Sequence, residues 1–156
     1  MNAAYLHLLL NHVPVIGIPI GLFILVIGIF WKKDAFIRVA LLVFIFCAVF
    51  TIPVYFSGEP AEESIEHMPG VSHSQIDEHE ESGEIALASA SVLGVVALAG
   101  IFWFQRYPLL PRWFVLTALI VSLFVSAILT RTAHLGGLIR HPEMTDSQPS
   151  VSGPEE

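Results

Sequence analysis

Four long apolar runs constrain the fold of this chain more than any other feature. They occupy residues 13–31, 35–56, 85–105 and 113–130, and each is 18 to 22 residues long. The only charge inside them is Arg38. A helix needs about 20 residues to cross the hydrocarbon core of a bilayer. Because the runs lack the polar and apolar alternation of barrel strands, the sequence predicts four transmembrane helices.

The composition agrees with a single membrane domain. The chain has 156 residues, 54% of them hydrophobic and only 13% charged, which is too few charges for a soluble surface. No Lys or Arg precedes Lys32, so a secretory leader is not indicated and the first helix is expected to be retained. The predicted fold class is an all-α, integral membrane, antiparallel four-helix bundle within residues 1–144. Its helices are expected at about 6–31, 35–57, 75–105 and 112–138.

The polar segments outside the four helices are predicted to differ from one another. Residues 60–67 begin with Pro60 and carry acids in their first turn, so we expect a short outer-side helix in the connection between the second and third helices. Ser74 is expected to cap the third helix, with Asp77 at the capping-box offset. Residues 145–156 are rich in Ser, Pro, Gly and Glu and are expected to form a disordered tail.

The distribution of charge predicts an orientation. Five of the seven Lys and Arg residues flank the turns at 32–35 and 107–111, and the positive-inside rule places such turns in the cytoplasm. Both termini and the 58–83 connection are then expected on the outer side. Nine of the fourteen acidic residues lie between Glu59 and Glu84, and this balance argues against nucleic acid as a partner.

Stripes of small residues predict how the helices pack, because helix contacts in lipid rely on close approach rather than on a hydrophobic gain. The stripes are Gly17, Gly21 and Gly28 on the first helix, Gly83, Ala86, Ala90, Gly94 and Ala97 on the third, and Ala118, Ser122, Ser126 and Thr130 on the fourth. Extended outward, the stripe on the third helix reaches His79, and the stripe on the fourth helix reaches His134. Both imidazoles are therefore expected to face the interior of the bundle.

The course of the first helix is left open by the sequence. Pro14 and Pro19 lie near its start, and Pro is well tolerated in a first helical turn, so a helix that begins afresh near residue 13 is one alternative. On an unbroken helix, His7 and His12 are separated by about 140° and cannot both face one site. His7 then shares a heptad face with Pro14, as well as with Gly21 and Gly28. A break at Pro14 would allow both imidazoles to converge.

Five of the seven histidines are expected at the outer ends of the helices, where they could ligate a metal. They are His7, His12, His79, His134 and His141. Neutral imidazole is a ligand of haem iron, zinc and copper. Two histidines on facing helices would hold a haem, and the candidate pairs are His12 with His79 and His79 with His134. Arg131 or Arg140 would pair with the propionates. Since no Cys-x-x-Cys-His motif occurs, the hypothesis is haem b rather than a covalent haem.

Two alternatives to haem remain open. A bare zinc or non-haem iron site needs several imidazoles and a carboxylate. Its ligands would be His12, His79 and His134 with Glu59, Glu62 or Glu63. The other alternative is a structural or assembly subunit in which these residues are solvated at the interface. Because no nucleophile and base motif or nucleotide fingerprint is found, we expect a subunit of a redox complex rather than an enzyme on its own.

Three blocks of the sequence resemble those of a family of bacterial four-helix membrane proteins that is known as domain of unknown function 2231. The blocks are residues 7–14 (HLLLNHVP), 57–63 (SGEPAEE) and 133–141 (AHLGGLIRH). In that group the first helix opens with His-x4-His-x-Pro, the third opens with His, and the last ends in Gly-His-x-Gly-Gly-x3-His. Here Ala133 replaces the first glycine, and two glutamates follow His79 where many relatives have a basic or aromatic residue.

This resemblance covers the four helices and not the tail. Relatives are often encoded beside, or fused to, Rieske or c-type cytochrome modules. It therefore implies a bacterial inner membrane, with the outer side facing the periplasm, and a place near respiratory electron transfer. Membrane lipid, quinol and a cytochrome c or Rieske-type protein are the partners expected on this interpretation.

Overall fold

The chain folds into five α-helices, with no strand, in the part that the computed structural model describes, residues 3–67 and 71–140. The helices are α1 (Ala3–Trp31), α2 (Asp34–Phe56), α3 (Gly58–Glu63), α4 (His73–Arg106) and α5 (Arg112–Arg140). All of them except α3 are long and apolar enough to cross a membrane. The predicted all-α membrane bundle is confirmed. The expected disordered tail, 145–156, lies outside the described residues.

The four long helices form a ring in which each helix contacts two neighbours. α1 contacts α2, α2 contacts α4, α4 contacts α5, and α5 returns to α1, while α3 lies mainly on α1. The first turns of α1 and α4 meet the last turns of α2 and α5 at one end, as an antiparallel bundle requires. We call this the outer end.

Close packing of small residues brings the helices together. A Cβ atom on Gly17 would clash with the Sγ atom of Cys47, and one on Gly94 would lie 2.6 Å from the Cβ atom of Ala48. The backbones of α1 and α4 therefore approach α2 more closely than any side chain would allow at these positions. The predicted stripe on α4 is buried from Ala86 through Ala97.

Large apolar side chains cover the outside of the bundle, as lipid contact requires. Val95 on α4 and Ile120 on α5 are each 67% exposed, in the middle of helices that carry no charge there. A water-soluble bundle would bury such side chains. The exterior therefore fits a hydrocarbon environment.

α1 is continuous through Pro14 and Pro19, so the break considered near residue 13 does not occur. Proline is tolerated inside membrane helices because neighbouring helices compensate for the lost backbone hydrogen bond. Continuity means that His7 and His12 point in different directions. His7 is partly buried, and His12 is exposed.

The connection between α2 and α4 differs from the prediction in its details. α3 covers Gly58–Glu63 and ends earlier than the expected helix at 60–67. α4 begins at His73, so Ser72 is the residue at its N-cap, and it makes no side-chain capping bond. The predicted cap at Ser74 is therefore wrong, because the helix starts two residues earlier and places Ser74 inside its first turn.

Candidate functional site

A cavity of about 1080 Å³ lies at the outer end, bounded by the four long helices and α3. We call it the outer cavity. Ligand pockets usually measure about 300–1000 Å³, so this one can admit a large ligand. Gly83 and Gly137 line the cavity and increase its volume, since no atom lies within 4 Å of a Cβ position on either residue.

Two histidines meet in the outer cavity. His7 on α1 and His79 on α4 have ring centroids 6.2 Å apart and ring planes at 86°. Both are partly buried and line the cavity. His79 faces inward, as predicted from the sequence, but its predicted partners were His12 and His134. Because α1 is unbroken, His7 is the α1 histidine that faces His79.

A backbone carbonyl of α5 orients the ring of His79. The Nδ1 atom of His79 lies 3.0 Å from the carbonyl oxygen of Thr132. A carbonyl can only accept a hydrogen bond, so Nδ1 carries the hydrogen and, in the neutral ring, Nε2 carries the lone pair. The hydroxyls of Thr132 and Ser82 lie 2.7 Å apart and join α5 to α4 beside this bond.

Ser57 holds His7 in the same tautomer. The Nδ1 atom of His7 lies 2.9 Å from the Oγ atom of Ser57. The hydroxyl donates its single hydrogen to the carbonyl of Val54, at 2.7 Å, so it must accept from the Nδ1–H group of His7. The lone pair of His7 is therefore also on Nε2. The side-chain hydrogen bonds of both rings are made through Nδ1, and His7 also lies within hydrogen-bond reach of the backbone of Val54.

Paired imidazoles of this kind can ligate a metal. Metal-binding histidines commonly donate their second ring N–H to a protein acceptor, which fixes the ring and makes the other nitrogen a better ligand. Two rings on one ion, each at about 2.0–2.1 Å, have centroids roughly 5–6.5 Å apart depending on the coordination angle. The observed 6.2 Å falls in this range.

His134 does not face the interior, and its predicted orientation is wrong. It is exposed on α5 and does not line the outer cavity. Each step of four residues overshoots a helical turn by about 40°, so the stripe rotates by about 120° between Ser122 and His134. The inward face of α5 passes instead through Thr132 and Gly136. A Cβ atom on Gly136 would lie 2.9 Å from the Cε1 atom of His79.

The other predicted haem-binding residues lie outside the pair. His12 is exposed at the edge of the outer cavity, and its Nδ1 atom bonds to the carbonyl of Leu8. Arg131 is exposed and does not line the cavity. Its Nη1 atom lies 3.4 Å from the Oγ atom of Ser82. The side chain of Arg140 and all of His141 lie outside the described part, so their roles stay predictions.

The predicted bare-metal ligands are not assembled into one cluster. Within residues 3–67 and 71–140, no three His, Cys, Asp or Glu side chains come together closely enough to hold an ion. His134 is turned away, and His12 lies at the edge. Glu59, Glu62 and Glu63 do line the outer cavity, as expected for acids on α3.

The acidic lining affects the pKa of Glu62. Partial burial, followed by repulsion from Glu80, Glu66 and Asp77, raises the pKa of Glu62, while His73 opposes the shift. In the described part of the chain, no Lys or Arg lines the outer cavity. The cavity is therefore electrostatically negative towards its mouth.

Sequence reasoning missed the roles of Ser57 and Thr132, which hold the two imidazoles. Hydrogen bonds between distant positions leave no periodic signal in a sequence. The inward position of His7 did leave a periodic signal. His7 shares a heptad face with Pro14, Gly21 and Gly28, and this is the buried face of α1.

Comparison with known proteins gave no relative: no family model, no curated protein and no solved structure matches this chain. Membership of the bacterial four-helix group therefore stays a prediction. What the outer cavity can bind has to follow from its own residues.

Proposed function

We propose that this chain is a membrane-embedded electron-transfer subunit that binds haem b at its outer end, where His7 and His79 would hold it. The observation that supports this most is the matched pair of imidazoles, each with Nδ1–H held by the protein and the lone pair on Nε2. Imidazole is a common axial ligand of haem iron, and bound haem would supply one-electron chemistry.

The surroundings of the two rings fit a bulky ligand. Gly136 lies against the ring of His79, and Gly58 lies beside His7, with a Cβ position 3.9 Å from its Cε1 atom. Neither neighbour has a side chain that would occupy the space at the imidazole. Ser57 and Thr132 supply the outer acceptors that orient metal-binding histidines.

The acidic lining disfavours the propionates of a haem inside the cavity. Carboxylates of Glu59, Glu62, Glu63 and Glu80 line it, and Arg131 is not directed into it. The charge of the lining therefore opposes haem binding, and salt reduces this repulsion beyond about 8–10 Å.

The same acids favour a second candidate, a bare zinc or iron ion. A negative lining raises the local concentration of cations. His7 and His79 would supply two nitrogen ligands, and water or a carboxylate such as Glu62 would complete the coordination. This candidate shares the histidine pair with haem and differs in the absence of a macrocycle.

The proposed location is a bacterial inner membrane with the outer end in the periplasm. Lys32 and Lys33 flank the turn at the opposite end between α1 and α2, and Arg106 and Arg112 flank the turn between α4 and α5, which supports this orientation. A quinol would donate electrons, and a cytochrome c or Rieske-type protein would accept them. A reporter fused after Glu156 should be active outside the cytoplasm, and cytoplasmic activity would overturn the orientation.

The absorption spectrum of the purified protein tests the proposal. We expect a Soret band and split visible bands on reduction, with one haem per chain. A colourless preparation with stoichiometric zinc or iron would favour the ion. A colourless, metal-free preparation that also takes up neither haem nor metal would contradict both and leave a structural or assembly role.

A further inference from the structure

Arg38 is the only charged residue within the four apolar runs of the sequence. It lies on α2 about 6 Å along the helix from Asp34, the first residue, and its side chain is exposed. An ionisable side chain in a membrane helix is costly, and it is usually accompanied by another charge, a backbone carbonyl or water. The guanidinium of Arg38 therefore requires a partner.

The ring of Phe104 on α4 holds this guanidinium against the bundle. The Cζ atom of Arg38 lies 4.1 Å from the centroid of the Phe104 ring, and Phe104 itself is buried. A ring face stabilises a positive charge, but it supplies no oxygen to the five N–H donors of the guanidinium. The contact therefore fixes the position of the charge and leaves its hydrogen-bonding capacity to another group.

The chain itself does not supply that group within residues 3–67 and 71–140. No carboxylate forms an ion pair with Arg38 there, and no atom accepts a hydrogen bond from it. Asp34 precedes Arg38 by one helical turn on α2, and the two side chains are not paired. The acceptor therefore comes from outside the chain, either from water or from a lipid headgroup.

The charge around Arg38 favours an anionic headgroup. Four further basic residues flank the helix turns at the same end of the bundle, which we call the inner end: Lys32, Lys33, Arg106 and Arg112. None of them forms an ion pair with a described residue, and Asp34 is the only acid in the two turn regions, residues 28–38 and 101–113. Basic sites between membrane helices on the cytoplasmic side typically bind anionic lipid headgroups.

We propose that Arg38, held by Phe104, binds the phosphate of an anionic phospholipid at the junction of α2 and α4. The guanidinium donates paired hydrogen bonds to two phosphate oxygens, a geometry for which its planar shape is suited. One turn further along the same face of α2, Leu42 is 55% exposed and offers an apolar surface to the acyl chain. This site lies at the opposite end of the bundle from the outer cavity and does not depend on the cofactor.

The test is equilibrium binding of phosphatidylglycerol and phosphatidylcholine to the full chain in detergent micelles, measured by native mass spectrometry. One basic residue near a membrane surface corresponds to about a fivefold change in affinity for an anionic lipid, so phosphatidylglycerol should bind at least that much more tightly. Arg38→Gln should abolish most of this preference. Arg112→Gln removes the same charge from the same end, is the matched control, and should keep most of it.

Two further variants test the geometry. Phe104→Leu changes no charge and should lower the preference for phosphatidylglycerol, because the guanidinium loses the ring that holds it. Asp34→Asn removes a negative charge one turn from Arg38 and should raise the affinity for phosphatidylglycerol. The helical circular dichroism signal of each variant checks that it is folded.

Two results would overturn the lipid site. Equal losses of preference in Arg38→Gln and Arg112→Gln would show a diffuse attraction to the whole inner end. Displacement of phosphatidylglycerol by inorganic phosphate at the same concentration would show a site for a soluble anion instead of a lipid. Lipid binding is measured whether or not the protein carries haem, so the failure of one proposal leaves the other standing.

Discussion

His7 and His79 face each other across the outer cavity with ring centroids 6.2 Å apart. Each ring is oriented by a residue on a different part of the bundle. Ser57, between α2 and α3, holds His7, and Thr132 on α5 holds His79. Helices α1, α4 and α5, together with Ser57 just after α2, thus position one pair of imidazoles. Such preorganisation lowers the entropic cost of binding a shared ligand.

Ser57→Ala should weaken cofactor binding by about 10- to 100-fold, the usual cost of losing an outer partner of a metal-binding histidine. The variant frees the Nδ1 atom of His7 and allows the other tautomer. Titration with haem, followed at the Soret band, measures the change. Ser64→Ala is the control, because that hydroxyl donates to the carbonyl of Ala61 and, among the described residues, forms no hydrogen bond with a histidine. Equal haem affinities in the two variants would show that Ser57 does not contribute to cofactor binding.

Gly136→Ala should disturb the same centre by a steric route. The added methyl group would lie 2.9 Å from Cε1 and 3.3 Å from Nδ1 of His79, so the ring must move away from the carbonyl of Thr132. We expect about a tenfold loss of haem affinity. Leu123→Ala, at an exposed position on the lipid-facing side of α5, is the control and should bind haem normally. Unchanged haem affinity in both variants would show that haem binding does not depend on the position of the His79 ring.

Gly94→Ala should destabilise the bundle away from the site. Its methyl group would lie 2.6 Å from the Cβ atom of Ala48, and overpacking of this kind typically costs about 1–3 kcal/mol. Unfolding in detergent micelles measures the loss. Adding Ala48→Gly should restore most of the stability, because it removes the atom that clashes. No recovery in the double variant would mean that the contact between α2 and α4 differs from the one described.

Glu62→Gln should stabilise the protein at neutral pH. Burial and neighbouring acids raise the pKa of Glu62 above its ordinary value of 4.5, so the folded state disfavours its ionised form. Below the ordinary pKa, Glu62 is protonated in both the folded and the unfolded state and does not lower the stability. As the pH rises through the raised pKa, Glu62 must ionise in the folded state, and the protein loses stability. The advantage of the variant should therefore vanish at low pH. An advantage that persists in acid, measured by unfolding across the pH range, would contradict this origin.

The fold could be predicted from the sequence because length and apolar composition are local properties. The run at residues 35–56 became α2, Asp34–Phe56, almost unchanged. The start of α4 was harder to place, because His73 and its neighbours are polar and lie before the apolar part of the helix. Neither hydropathy nor a capping motif identified its first residue.

The candidate site could be predicted only in part. Small residues one and two turns away correctly indicated the inward face at His79, since spacings of three and four are mixed on α4 and keep the stripe on one face. On α5 the spacing of four was kept for three steps, and the accumulated rotation moved His134 outside. The choice between His7 and His12 depended on whether α1 stays continuous at Pro14, which is decided by packing between helices.

The most direct measurement is haem titration of four alanine variants of the purified chain, with optical spectra before and after reduction. His7→Ala and His79→Ala should each abolish the split visible bands of a haem with two imidazole ligands. His134→Ala and His73→Ala, both at exposed positions, should keep them. Two-imidazole spectra that survive both His7→Ala and His79→Ala would contradict the proposed centre.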